Sequence, residues 1–272
     1  MTSDAKPFTG VAPRPRAASP SWLRRAGVPA VQLAILAVII AAWQLCADAH
    51  LINGQLFGTP SGIVKSARQT IADGSLLTDT WLTVYETITG FILGTLLGSV
   101  LGLGLWYSRF VARVVEPAAV AFNGVPKIAL GPLIIIWLGA GTESKIVLAF
   151  VSTFVVALLA AYGATREVDR DLVTLLRSVG ASRWQIFRKL LVPSAMPTMF
   201  AAMRINVGFA LVGAVVGEFI SSQHGLGHAV FVAGNLFDLN TVWLGIIVLS
   251  LVAAIMYSCL AFAERALVKG RS

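Results

Sequence analysis

The stretch DLVTLLRSVGASRWQIFRKLLVPSAMP, Asp171 to Pro197, is basic and amphipathic and lies between two long apolar runs. KIVLAFVSTFVVALLAAY (Lys145–Tyr162) precedes it, and MFAAMRINVGFALVGAVVGEFI (Met199–Ile220) follows it. Arg177, Arg183, Arg188 and Lys189 would each cost about 2.5–3.5 kcal/mol at the centre of a bilayer. The segment therefore belongs on the water side of a membrane domain, and its shape predicts that it docks onto something.

Composition agrees with that placement. The 272 residues are 57% hydrophobic and only 12% charged, with a mean hydropathy of +0.80. A soluble domain carries about 25% charged residues. The formal net charge of +8 falls in particular loops rather than in one patch, which argues against a nucleic-acid partner.

Six apolar segments are long enough to cross about 30 Å of hydrocarbon: Val28–Cys46, Tyr85–Tyr107, Pro117–Leu138, Lys145–Tyr162, Met196–Ile220 and Val242–Phe262. The expected fold is all-α and polytopic, one transmembrane domain over 28–272 behind a disordered basic tail at 1–27. Lys6, Arg14, Arg16, Arg24 and Arg25 precede the first span, and Arg109 and Arg113 separate the second from the third. Six basic residues from Arg166 to Lys189 separate the fourth from the fifth, and Arg265, Lys269 and Arg271 follow the sixth. The opposite loops hold only Lys65, Arg68 and Lys145. The positive-inside rule then predicts both termini in the cytoplasm. Cleavage near Ala47-Asp48-Ala49 is the rival reading of the first span, but the run exceeds the usual h-region of a signal peptide. Between 47 and 84, Gly58-Thr59-Pro60-Ser61 marks an N-cap, followed by one or two short amphipathic helices on the outer face. Cys46 and Cys259 are expected most of a membrane apart and unpaired.

Within 171–193 the reading is a helix–Gly–helix hairpin. Asp171 is expected to cap the first helix and Gly180 to end it in the left-handed region. Ser182 is expected to cap the second helix, which stops at Val192 before Pro193. Trp184, Phe187 and Leu191 share one face of it. A hairpin lying on anionic lipid is the alternative to one that docks on protein.

Nine residues separate Gly180 from Leu190-Leu191-Val192-Pro193. This spacing resembles the EAA loop of ABC importer permeases: Glu-Ala-Ala, three residues, Gly, nine residues, Ile-x-Leu-Pro. Thr174-Leu175-Leu176 stands where Glu-Ala-Ala is usual. The resemblance is closest to nitrate/sulfonate/taurine-type permeases and extends over nearly the whole chain beyond the tail. It rests on Gly58-Thr59-Pro60, Val125-Pro126-Lys127-Ile128-Ala129-Leu130-Gly131-Pro132, Trp137-Leu138-Gly139, Ser178-Val179-Gly180-Ala181-Ser182, Gly217-Glu218-Phe219-Ile220 and Gly225-Leu226-Gly227. It implies a type I importer-like fold in the bacterial inner membrane, with a coupling helix that meets separate ATPase subunits through Gly180, Ala181, Ser182, Arg183, Trp184, Phe187 and Pro193. It also implies an extracytoplasmic substrate-binding protein, a second permease copy (a homodimer), surrounding lipid, and ATP and Mg²⁺ on the partner rather than on this chain. No G-x-x-x-x-G-K-[ST] loop occurs here, and no hydrolase or metalloprotease signature.

Four intramembrane residues are pathway candidates: Asn123, Lys127, Arg204 and Glu218. Lys127 suits an anionic solute such as nitrate or a sulfonate; the alternative is a lysine that snorkels or pairs within the bundle. Arg204 is expected to snorkel or pair elsewhere, and Glu218, with Glu86, lies toward the outer end as a structural or gate residue. Two prolines and a glycine in 126–132 predict a break or kink in span three. Gly90, Gly94, Gly98 and Gly102 form a close helix contact, static or sliding. His224 and His228 are read as a surface turn without metal. An ion-coupled secondary transporter or channel is the rival function, requiring carboxylates such as Glu218 and Glu86 to carry the coupling ion.

Overall fold

The computed structural model describes residues 21–269, all helices and connections with no strand among the described residues. It divides into two units, residues 1–52 and 53–272. The first contains α1 (Ser21–Asp48), which starts before the expected Val28. Residues 1–20 of the expected tail lie outside the described residues.

The second unit opens with α2 (Gly54–Phe57) and α3 (Pro60–Ala72). Thr59 caps α3, accepting the Gly62 N–H at 3.0 Å, and Pro60 occupies the first turn where its missing N–H costs nothing. Next comes α4 (Ser75–Gly104), closed by a 3₁₀ turn at Leu105–Tyr107. Residues 75–84, expected in the connection, are thus the first turns of a long helix.

Span three is two helices. α5 (Arg109–Asn123) and α6 (Gly131–Leu138) are joined through a 3₁₀ turn at Lys127–Leu130, and the helical segments on either side of 124–126 meet at 89°. Arg109 and Arg113, expected in a loop, belong to α5. Pro126, extended at ψ +102°, and Pro132, in the first turn of α6, mark the break: neither offers a backbone donor to carry one ladder across it.

Then follow α7 (Thr142–Glu167), α8 (Arg170–Ser178), α9 (Arg183–Ile186) and α10 (Val192–Ser221). α11 (Leu226–Asn235) and α12 (Leu239–Lys269) complete the chain. Among the described residues five helical stretches are long and apolar enough to cross a membrane, six if the bent pair counts as one.

α4, α7 and α10 form the packed centre. Along α4 the four glycines are buried against α7. A methyl added at Gly90 would lie 2.8 Å from the Ile146 carbonyl oxygen, and at Gly94 2.7 Å from that of Phe150. At Gly98 and Gly102 it would lie 2.9 Å from the Ala157 and Ala161 methyls. Backbones this close leave no room for a side chain. Gly213 does the same between α10 and α7, with the Leu148 carbonyl oxygen 2.8 Å from where its Cβ would stand. Asn206 of α10, fully buried, donates to the Thr153 carbonyl at 3.1 Å and ties the two helices at mid-length.

Candidate functional site

Three places in the second unit concentrate polar chemistry, at one end, at the other end and midway between. At one end stands the hairpin. Asp169, not Asp171, caps α8 by accepting the Asp171 N–H at 2.8 Å. Gly180 turns the chain with φ +82°, a conformation costly for a residue with a Cβ. Ser182 and Gln185 make a reciprocal capping box: the Ser182 hydroxyl accepts the Gln185 N–H at 3.2 Å, and the Gln185 side chain accepts the Ser182 N–H at 2.8 Å.

The second limb does not stop at Pro193. A π turn at Phe187–Leu191 leads directly into α10, giving continuous helix over Arg183–Ser221. Pro193 follows the π turn directly, and the wider loop there accommodates its absent donor, so the helix runs on through it. Phe187 then sits among aromatic rings, 5.1 Å from Tyr107 and 6.0 Å from Trp106, with Trp184 stacked on it at 5.7 Å. Leu191 is fully buried with Leu103, Ala161 and Ala164. The other side presents a different surface: Leu172 and Leu175 of α8, Val179 of the turn and Trp184 of α9 are all exposed, Val179 at 72% and Trp184 at 60%. The hairpin is fixed to the bundle on one side and apolar toward solvent on the other.

The opposite end holds a buried polar node. Lys145, expected as a loop charge, is 1% exposed. Its ammonium donates to the carbonyls of Ala140, of Gly141 at 3.1 Å and of Ser221 at 2.6 Å. It thereby caps the negative C-terminus of α10. Beside it, the N-terminus of α11 is received by three side chains. Gly225 N–H donates to Asp79 at 2.8 Å, Leu226 N–H to Thr83 at 2.9 Å, and Gly227 N–H to Glu218 at 2.6 Å. Thr83 also donates to the other Glu218 oxygen at 2.6 Å. Glu86, 1% exposed, lies beside Glu218 and in the field of Lys145. Both Glu218 oxygens are therefore occupied, and Gly225 and Gly227 allow its carboxyl to reach their backbone.

Midway, the break in span three opens a cavity of 340 Å³ against α7 and α10. Asn123 and Lys127 line it, with Ser152, Phe209 and Val212 opposite. Lys127 donates to Asn123 Oδ1 at 3.1 Å and stands 5.8 Å from the Phe209 ring centre. Of the four pathway candidates, only these two share the cavity. Arg204 forms an ion pair with Glu264 of α12, beneath the Tyr257 ring. Glu218 belongs to the node.

A family model described as "binding-protein-dependent transport system inner membrane component" matches residues 94–269. The chain belongs to this family. It is a multi-pass ABC permease of the inner membrane, a transport component and not itself an ATPase, and its family implies a separate ATPase and a substrate-binding protein as partners. The riboflavin transport system permease protein RibX of Chloroflexus aurantiacus is 35% identical over 266 residues, 97% of each chain. The putative aliphatic sulfonates permease SsuC of Bacillus subtilis is 30% identical over 240 residues, covering 88% of this chain and 87% of that one. An inward-facing structure of the MetNI methionine ABC transporter superposes with a TM-score of 0.60 over 71% of this chain and 94% of its own, at 24% identity. That likeness gives the permease a type I importer fold.

Several residues of the permease escaped the sequence reading. Lys145 was hidden because its partners are backbone carbonyls, which leave no trace in residue identity. Thr83 and Asp79 share a helix face at i and i+4, but nothing marks their partner as a helix start 140 residues away. Trp106 and Tyr107 carry no mark in the sequence as the seat of Phe187. The two histidines divide: His224 sits in the loop 3.9 Å from Asp79, and His228 lies on α11 rather than in a turn. Among the described residues no group of three metal-binding side chains gathers, and Cys46 and Cys259 are both free.

Proposed function

We propose that two copies of this permease form the solute path of an importer and that the 171–193 hairpin of each is the element an ATPase moves. Both termini and the hairpin then face the cytoplasm. The observation that carries this reading is the two-sided hairpin. One side is fixed by the capping box, the Phe187 ring cluster and buried Leu191; the other exposes Leu172, Leu175, Val179 and Trp184. A lever needs both properties. Because α9, the π turn and α10 are one continuous helix, a push at Trp184 is delivered to the helix that carries Phe209 and Glu218. Gly180, Ala181, Ser182, Arg183, Trp184, Phe187 and Pro193 are the proposed coupling residues.

The solute is proposed to be small and anionic, brought by an extracytoplasmic binding protein. Relatives are named for riboflavin, aliphatic sulfonates and formylaminopyrimidine, so an organic solute is favoured over nitrate. The glycine stripe of α4 is proposed as the surface on which α7 shifts when the path changes its opening.

The test is recovery of an ATPase from detergent-solubilised membranes, wild type against Leu175→Asp. Leu175 is 58% exposed, so the change leaves the fold standing. Recovery with wild type and loss with the variant supports coupling through the hairpin. Transport that persists with no ATPase recovered and collapses with the ion gradient would instead make the protein an ion-coupled transporter.

A further inference from the structure

The cavity at the break of span three carries more than a place on the path. Ser152 lies ten residues along α7 from Thr142, about 15 Å at 1.5 Å per residue. Phe209 lies twelve residues from the end of α10 at Ser221, about 18 Å by the same rise. Both distances put the cavity near the middle of about 30 Å of hydrocarbon.

Its side-chain donors come from Lys127 and Asn123. Lys127 gives one N–H to Asn123 and has two left; the Asn123 amide supplies two more. Ser152 turns its own hydroxyl proton onto the Leu148 carbonyl at 2.7 Å. Among the described residues no carboxylate pairs with Lys127. An ammonium at membrane depth is costly unless something answers its charge, and here an amide oxygen and an aromatic face are the answer. The other side chains on its wall, Phe209 and Val212 included, are hydrocarbon. The volume of 340 Å³ is that of about eleven waters in the liquid, far more than a four-atom oxyanion occupies.

We infer that this cavity is a solute subsite for an organic monoanion, whose charged head is held by Lys127 and Asn123 and whose apolar body lies against Phe209 and Val212. The site selects against inorganic oxyanions, which would trade their hydration for one ammonium and an oily wall. Gly213 supports the site by letting α10 close on α7 beneath it. The inference rests on the permease reading, yet the two fail separately: loss of ATPase recovery leaves the labelling pattern below intact, and absence of labelling leaves the hairpin untouched.

The test places a thiol in the cavity of the full-length protein in membrane vesicles. Cys46→Ala and Cys259→Ala remove the native thiols, and Val212→Cys, at a position 52% exposed, supplies the target. Two methanethiosulfonate reagents are compared, a sulfonatoethyl anion and a trimethylammonioethyl cation, each rate divided by its rate on free cysteine. The anion is expected to be favoured by about tenfold, a ratio that a unit charge at this range supplies. Lys127→Met should bring the ratio near one and Lys127→Arg should keep it. Pentanesulfonate should slow the labelling while sulfate at equal concentration does not. A thiol that neither reagent reaches, a ratio that survives Lys127→Met or is lost in Lys127→Arg, or protection by sulfate equal to that by pentanesulfonate overturns the inference.

Discussion

Lys145 and Lys127 stand eighteen positions apart in the same apolar stretch of sequence, and the fold treats them oppositely. Lys145 is sealed at 1% exposure with three backbone carbonyls on its three protons. Lys127 has one amide partner and an open cavity beside it. A fully satisfied buried cation holds structure together: it joins the α6–α7 loop to the end of α10. A cation left with free donors is available to a ligand. The difference separates a scaffold region, where α4, α7, α10 and α11 meet, from a working region at the broken span.

The sharpest way to break this contrast is to remove the sealed lysine. Lys145→Met leaves three carbonyls without a donor and is expected to destabilise the permease by about 3–5 kcal/mol, read as a large fall in thermal midpoint in nanodiscs. Next is Glu218→Ala, which leaves the buried Gly227 N–H without its acceptor and turns the Thr83 hydroxyl back onto the Asp79 carbonyl; about 2–3 kcal/mol should be lost. Glu218→Gln should recover most of that, because one oxygen remains for Gly227 and the amide can donate to Thr83. If Glu218→Gln retains its stability but abolishes ATP-driven uptake, the carboxylate does more than cap a helix. Gly98→Ala forces a methyl to 2.9 Å from Ala157 and is expected to cost about 1–3 kcal/mol, measured by the same unfolding.

Smaller effects on stability should accompany larger effects on function in the working regions. Trp184→Ala removes an exposed ring and should change stability by under about 1 kcal/mol while cutting ATPase recovery several-fold. Lys127→Met should leave the thermal midpoint nearly unchanged, since its single hydrogen bond is worth about 1 kcal/mol at most.

Much of this architecture is legible in the sequence, and what is not has a physical reason. The hairpin announces itself by charge between apolar runs, Gly180 by its type and Ser182 by the glutamine three residues on. The two prolines and Gly131 mark the break in span three. Pro193 misleads because the π turn before it lets the helix continue past a proline, as α5 and α10 also continue through Pro117 and Pro197, and no residue pattern marks that turn. Asp169 and Asp171 are equally good caps on paper; the non-helical backbone falls at Asp169, ψ +121°, and Asp171 already lies inside α8. The node at Lys145, Thr83, Asp79 and Glu218 is assembled from three distant segments and depends on backbone groups, so only the folded chain displays it.

The measurement that tests the contrast most directly places Lys127→Met and Lys145→Met side by side in liposomes with the ATPase and binding protein, and records thermal midpoint, ATP hydrolysis and solute uptake. Lys127→Met is expected to keep the wild-type midpoint and basal hydrolysis and lose uptake, whereas Lys145→Met loses all three together. Equal losses in the two variants, or full uptake by Lys127→Met, would contradict the division between scaffold and path.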